Sequence, residues 1–286
     1  MSAGSWSPVH DFCERTELPC LFPHVDLPVV TGNNGYSLYF SKGLTVEAEA
    51  LARHLEDNVS PVNTNRIVQV YRDVDRGRVP AEALRRALRG SALRNVKQHV
   101  IDGNQPLTVD FWRKLAQDEQ PTVLVLWLED PDLDALATAA LDNVRQVYLS
   151  RSLLQAIPLV EPAKLRDKLH MTYQFTLSAN EVPRIYRVRA WMRSRNVQLT
   201  HEPIQLNTFF ALSITDHALV HLVENFSRDY LIESIEHETE NSLNPGVFPH
   251  LSLGPGQRFA SKGSYIVKLP GKTGGQLEAV SDWIIP

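Results

Sequence analysis

Between Tyr36 and Ser150 short apolar runs alternate with amphipathic stretches, and that alternation limits the possible folds more than any other feature. YSLYF (36–40) reads as a short strand with aromatic character. LTVEAEALARHLED follows, with Leu44, Ala48, Leu51, Ala52 and Leu55 at helical spacing. RIVQVYRD is a continuous apolar run bounded by charge, the pattern of a strand buried on both faces of a parallel sheet. VPAEALRRALRGSAL predicts a helix with Pro80 near its first turn. VKQHVID predicts a weaker strand, LTVDFWRKLAQ a helix, and PTVLVLWL the clearest strand of the chain. DPDLDALATAALDNV predicts a helix with Asp130 as N-cap, and VRQVYLS a further strand. About five strands with helices between them imply an α/β fold, its parallel sheet covered on both faces by right-handed crossovers.

The flanking segments read differently. SPVHDFCERTELPCLFP gives a short helix, with Pro8 in its first turn, and a short buried strand from Leu18 to Phe22. Residues 158–205 are less regular: LRDKLHMTYQF runs into a strand and RIYRVRAWMRSRN is a basic helix. From about Asn207 to Glu238 the sequence predicts one long helix, apolar on more than one face (Phe209, Leu212, Leu219, Leu222, Val223, Phe226) and therefore well buried. NPGVFPHLSLGPGQRF is turn-rich. SYIVKL and LEAVSDWIIP are closing strands joined by PGKTGGQ.

A length of 286 residues suits about two domains. With 43% hydrophobic and 22% charged residues the chain is not disordered. A net charge of -4 provides no basic field, so no nucleic-acid partner is expected. No apolar run reaches the roughly 18 residues a membrane helix needs, so no integral membrane segment is expected. MSAGSWSPVHDF has neither a basic n-region nor an apolar h-region, which means the cytoplasm if Met1 is the true start.

Few residues carry chemistry. Cys13 and Cys20 read either as a disulfide or redox pair or as two small buried apolar residues, and the sequence inclines to the latter. HALVH puts His217 and His221 on one helical face, with Asp216 and Glu224 nearby. It lacks the glutamate of HExxH and shows no third ligand, so it reads as a packed or half-exposed histidine pair. GPGQRFASKG fits no phosphate-loop pattern and reads as a β-turn segment. GxSxG is absent. No enzyme activity, cofactor or metal is expected. The polar residues at strand ends say more. Arg72 and Asp73 follow one strand, Glu129 and Asp130 another, and Ser150, Arg151 and Ser152 a third. Ligands of open α/β sheets sit beyond the carboxyl ends of the strands, so Arg72, Asp73, Glu129 and Ser150 are the candidate ligand contacts. Their mixed donors and acceptors suit a small zwitterion, and no His, Cys or Lys there suggests a nucleophile or base.

PVHDFCERTELPCLFPHVDLPVV, YSLYFSKGLTVEAEALARHL, RIVQVYRDVDRGRVPAEALRRAL and FWRKLAQDEQPTVLVLWLEDPDLDALATA occur in an order that resembles the type I periplasmic binding proteins. These are the leucine/isoleucine/valine-binding-like receptors of ABC importers. The D-x-x-x-G that follows a strand (Asp73 to Gly77), the aromatic helix NTFFALSITDHALVHLVENF and the turn GQRFASKG are similar to features of that family. The texture is also similar to a subgroup associated with PQQ-dependent alcohol oxidation. The resemblance implies two α/β lobes with a ligand in the cleft between them. Residues 1–35 and 173–253 would form the first lobe, and 36–172 with 254–286 the second. Set against the family, the leader and the first several strands and helices are missing, so an incomplete first lobe with apolar surface left exposed is expected. Where amino-acid binders carry an acidic residue, VYLSRSLLQ has Ser150 and Ser152. The implied role is binding of a small polar solute, an amino acid or a relative, for ABC membrane subunits in the periplasm. The alternative is a cytosolic ligand-sensing or regulatory module with the same fold.

Overall fold

A computed structural model describes residues 5–32, 35–58, 66–103, 105–139, 141–155, 163–181, 183–222, 226–239, 244, 246–269 and 276–286. Glu224, Val223 and all of PGKTGGQ but its last residue lie outside them.

In chain order, α1 (Ser7–Arg15) has Pro8 in its first turn, where the missing N–H would be unsatisfied anyway. β1 (Cys20–Leu21) and β2 (Ser37–Leu38) are shorter than their apolar runs. α2 (Leu44–Asn58) precedes β3 (Ile67–Arg72) and α3 (Asp75–Ala87). α3 starts earlier than expected, so Pro80 lies inside it and the carbonyl of Arg76 loses its helical donor. Next come β4 (Lys97–Ile101), α4 (Val109–Glu119) and β5 (Val123–Trp127). Thr108 caps α4, its hydroxyl accepting from the Phe111 N–H at 3.2 Å.

The long helix expected after Asp130 does not form. α5 (Asp130–Leu133) is one turn, followed by a 3-10 turn at Leu136–Thr138. Its acids serve tertiary contacts instead of the helix: Asp130 accepts the Gln155 N–H at 2.7 Å, and Asp132 takes Arg72. β6 (Gln146–Ser150), α6 (Ala163–Arg166), β7 (Leu169–Tyr173) and α7 (Pro183–Ser194) follow. The single helix expected from Asn207 to Glu238 is two, α8 (Glu202–Val220) and α9 (Arg228–Thr239). Ser227 starts the second, its hydroxyl accepting from the Tyr230 N–H at 3.1 Å. Leu212 (67%) and Phe226 (69%) are exposed, against the expectation of burial. β8 (Tyr265–Lys268) and β9 (Glu278–Ala279) complete the chain.

The chain divides into two compact units, residues 1–43 with 175–262 and residues 44–174 with 263–286. In the first, β1 and β2 pair in parallel, Cys20 opposite Ser37 and Leu21 opposite Leu38. YSLYF thus belongs to this unit and not to the larger sheet. Cys13 and Cys20 form a disulfide that ties α1 to β1, with Cα atoms 6.1 Å apart, so the reading as two buried thiols is corrected. Glu14 of α1 accepts hydrogen bonds from the Gly35 N–H (2.6 Å), the Tyr36 N–H (3.1 Å) and the Ser37 hydroxyl (2.7 Å). Burial pushes its carboxyl up, but those donors outweigh it and hold it below the usual carboxylate range. The core joins Phe22, Leu38 and Phe40 to Phe210, Ile214 and Ile235 of the helices.

The second unit is a seven-stranded sheet in the order β4-β3-β5-β6-β7-β8-β9. From β4 to β7 every pair is parallel, and β8 and β9 are antiparallel. β5 is buried along its whole length, as its apolar run requires. Gln69 is the polar exception inside β3. It donates to the Ala81 carbonyl (3.0 Å) and the Gln98 side chain (2.7 Å), and accepts from the Trp127 indole (2.9 Å). The buried amide is thereby satisfied.

Candidate functional site

Parallel register brings the carboxyl ends of β3, β5, β6 and β7 to one rim of the second unit. Arg72 ends β3. Its Nε and Nη2 donate to the Asp132 carboxylate at 2.8 and 2.5 Å. Nη1 donates to the carbonyls of Asp102 and Gly103, and Nη2 also to that of Gln105, at 3.0 to 3.1 Å. These five bonds use all five guanidinium N–H donors. Arg72 therefore braces the rim and offers no free donor in this arrangement. Bonded chiefly by Asp132, it is held protonated even more firmly than an ordinary arginine.

Asp73 and Glu129 are exposed at the same rim. Asp73 faces Arg78 at 3.8 Å, and its own N–H donates to the Ile101 carbonyl. Glu129 pairs with Arg76 Nε at 3.2 Å. Nη2 of Arg76 also donates to the Ser152 carbonyl at 3.2 Å, so the turns after β5 and β6 share one arginine.

Ser150 is buried, and its hydroxyl donates to Glu47 Oε2 at 2.5 Å. Glu47, in the first turn of α2, is fully buried, and four side chains among the described residues donate to its two oxygens. Oε2 takes Ser150 and Thr172 (2.7 Å), and Oε1 takes Ser152 (2.6 Å) and Gln174 (3.2 Å). Gln174 also donates to the Ser152 hydroxyl at 2.9 Å. A buried carboxylate is tolerable only when hydrogen-bonded, and the amino end of α2 adds a favourable dipole. The sequence reading missed Glu47, Thr172 and Gln174. The signal for Glu47 was present: it falls three residues after Leu44 and four before Leu51, a charge inside the apolar stripe.

The first unit holds a separate cavity of about 390 Å³ beside Tyr36, Asp229, Glu233, Glu236, His237 and Arg258. Two of its acids are engaged, Asp229 by the Tyr36 hydroxyl at 2.9 Å and Glu236 by Arg258 at 2.5 Å. Among the described residues no helix is long and apolar enough to cross a membrane.

The chain has the fold of the type I periplasmic binding proteins. It is similar over its whole length to a branched-chain amino acid ABC transporter protein of Thermus thermophilus with bound valine, covering 77% of that chain at 14% identity and a TM-score of 0.71. It is similar over 97% of its length to a leucine-binding protein of Thermotoga maritima, covering 76% of it at 12% identity and a TM-score of 0.64. It is also similar over 89% of its length to a fatty acid ABC transporter substrate-binding protein of Thermomonospora curvata, covering 66% of it at 17% identity and a TM-score of 0.63. No protein-family profile matches the sequence, and no curated protein does.

Proposed function

We propose that this chain is a solute-binding protein of an ABC import system, taking a small polar solute, an amino acid or a relative, without chemistry. The observation that carries the reading is the fold: the whole chain is similar to a transport receptor holding valine. The rim of the second unit is where such a fold presents polar groups to a ligand. Asp73 and Glu129 offer exposed carboxylates there, and Arg76, which bridges Glu129 and the Ser152 carbonyl, joins them as a proposed contact. Ser150 and Arg72 hold that surface in shape through Glu47 and Asp132.

The Cys13–Cys20 disulfide favours export to an oxidising compartment such as the periplasm, where such receptors meet their membrane subunits. That observation weighs against the cytosolic regulatory alternative. The narrower likeness to the subgroup associated with PQQ-dependent alcohol oxidation calls for alcohols and aldehydes among the solutes tried.

The test is calorimetric titration of the purified protein with the amino acids, small carboxylic acids, alcohols and aldehydes. One saturable equivalent is expected, weakened about tenfold by Glu129→Gln or Asp73→Asn, the loss of one good polar contact. Binding that both variants leave unchanged would remove this rim from the site. A folded protein that binds none of these solutes would overturn the reading.

A further inference from the structure

The sequence pairs His217 with His221 and supplies no third ligand. The fold does. His217 lies in the last turn of α8, and His221 caps that helix with helical backbone angles (φ -81°, ψ -9°), so both rings project from one face. Their centroids are 4.8 Å apart and their planes are inclined at 66°. α9 packs beside α8, and Ile214 and Ala218 of the one share a buried core with Leu231, Ile232 and Ile235 of the other. That packing brings Glu238, near the end of α9, back to the histidines. Its Oε2 stands 3.3 Å from Nδ1 of His217. One ligand atom from each of His217, His221 and Glu238 lies within 4.8 Å of the others.

We propose that His217, His221 and Glu238 bind a divalent transition-metal ion, zinc being the best match. Two imidazoles and one carboxylate are a borderline-soft N/O donor set, suited to zinc and unlike the all-oxygen shells of magnesium or calcium. With metal–ligand bonds of about 2.0–2.1 Å, tetrahedral ligand atoms stand roughly 3.3 Å apart. The His217–Glu238 edge already has that length. The remaining edges close by side-chain rotation of His221, whose ring has no hydrogen-bond or ion-pair partner among the described residues. A plain surface ion pair would account for His217 and Glu238 but would give His221 no role. Both histidines are exposed and Glu238 is half-buried, so an ion can enter from solvent and a water can take the fourth position. The bound ion would fasten the end of α8 to the end of α9. The site does not depend on the solute-binding reading.

The experiment titrates zinc chloride into the full chain, free of any histidine tag, by calorimetry, with thermal unfolding as second readout. Expected are one equivalent bound at micromolar or lower Kd and a rise in Tm with zinc, because an ion that binds only the folded state stabilises it. Glu238→Gln should weaken zinc at least about tenfold, and His217→Ala with His221→Ala should abolish both the binding and the rise in Tm. Circular dichroism without zinc checks that the variants fold, and these side chains are exposed enough for that to be expected. Failure of the native chain to bind one equivalent overturns the proposal. So does equal zinc affinity in the double variant, which would place the metal on other histidines of the ten in the chain.

Discussion

Ser150 donates its hydroxyl to Glu47 across 103 residues of sequence, at 2.5 Å, inside the second unit. The bond joins the end of a central strand to the first turn of α2, and Thr172, Ser152 and Gln174 converge on the same carboxylate. Glu47→Gln replaces an acceptor by a donor that faces hydroxyls, and should cost about 2–3 kcal/mol of stability. Ser150→Ala, which leaves Oε2 with Thr172, should cost less, about 1–2 kcal/mol. Urea unfolding measures both, and an unchanged midpoint in Glu47→Gln would show the carboxylate to be dispensable.

Arg72 should behave as a brace. Arg72→Ala is expected to cost about 2–3 kcal/mol, because it frees a largely buried Asp132 and three backbone carbonyls. Arg72→Lys should recover only part of this, since an ammonium lacks the planar fork. A double-mutant cycle with Asp132→Asn isolates the pair, and additive effects would refute the coupling.

His54 and His170 flank the Tyr148 ring, at centroid distances of 5.8 and 5.2 Å. Burial, with a smaller push from His170, lowers His54 to about 4, and burial also lowers His170. The unfolded chain therefore takes up protons on these rings before the folded one does. Their contribution to stability is complete above an unfolded value near 6.5 and is lost as the pH falls from there toward about 4. By pH 5 the loss should be about 2 kcal/mol for His54. Unfolding midpoints at pH 7 and pH 5 measure it, and His54→Gln should flatten the slope.

Tyr148 is fully buried, and its hydroxyl has no hydrogen-bond partner among the described residues. Tyr148→Phe removes that group without changing the ring. It should leave stability unchanged or raise it by up to about 1 kcal/mol. A clear loss in thermal unfolding would mean that the hydroxyl is satisfied in solution.

Gly77 sits where α3 crosses the end of β3. A Cβ there would lie 2.5 Å from the Arg72 carbonyl oxygen and 3.1 Å from its nitrogen. Gly77→Ala should therefore destabilise despite alanine's better helix propensity, by about 1–3 kcal/mol. A more stable variant would mean that the helix shifts without cost.

The parallel sheet was legible because its strands are continuous apolar runs, β3, β5 and β6 above all. The break between α8 and α9 was not, since apolar residues continue through it and only Ser227 marks the new start. α5 was overread because Asp130 and Asp132 suit a helix start, while their distant partners Gln155 and Arg72 have no local signature. At the rim, position along the strands found Arg72, Asp73, Glu129 and Ser150. It did not reveal that Arg72 and Ser150 are already bonded to other side chains. Such saturation depends on contacts far apart in sequence, and a linear pattern is silent about them.

β7 gains its second neighbour only from β8, whose first residue follows it by 92 positions. On a ribosome moving at about 5–20 residues per second, β7 waits with one edge bare for roughly 5–20 s. Throughout that interval an unpaired strand edge beside apolar surface is available to other nascent chains. A binding protein for unfolded segments acting during this window would shield that edge until β8 emerges.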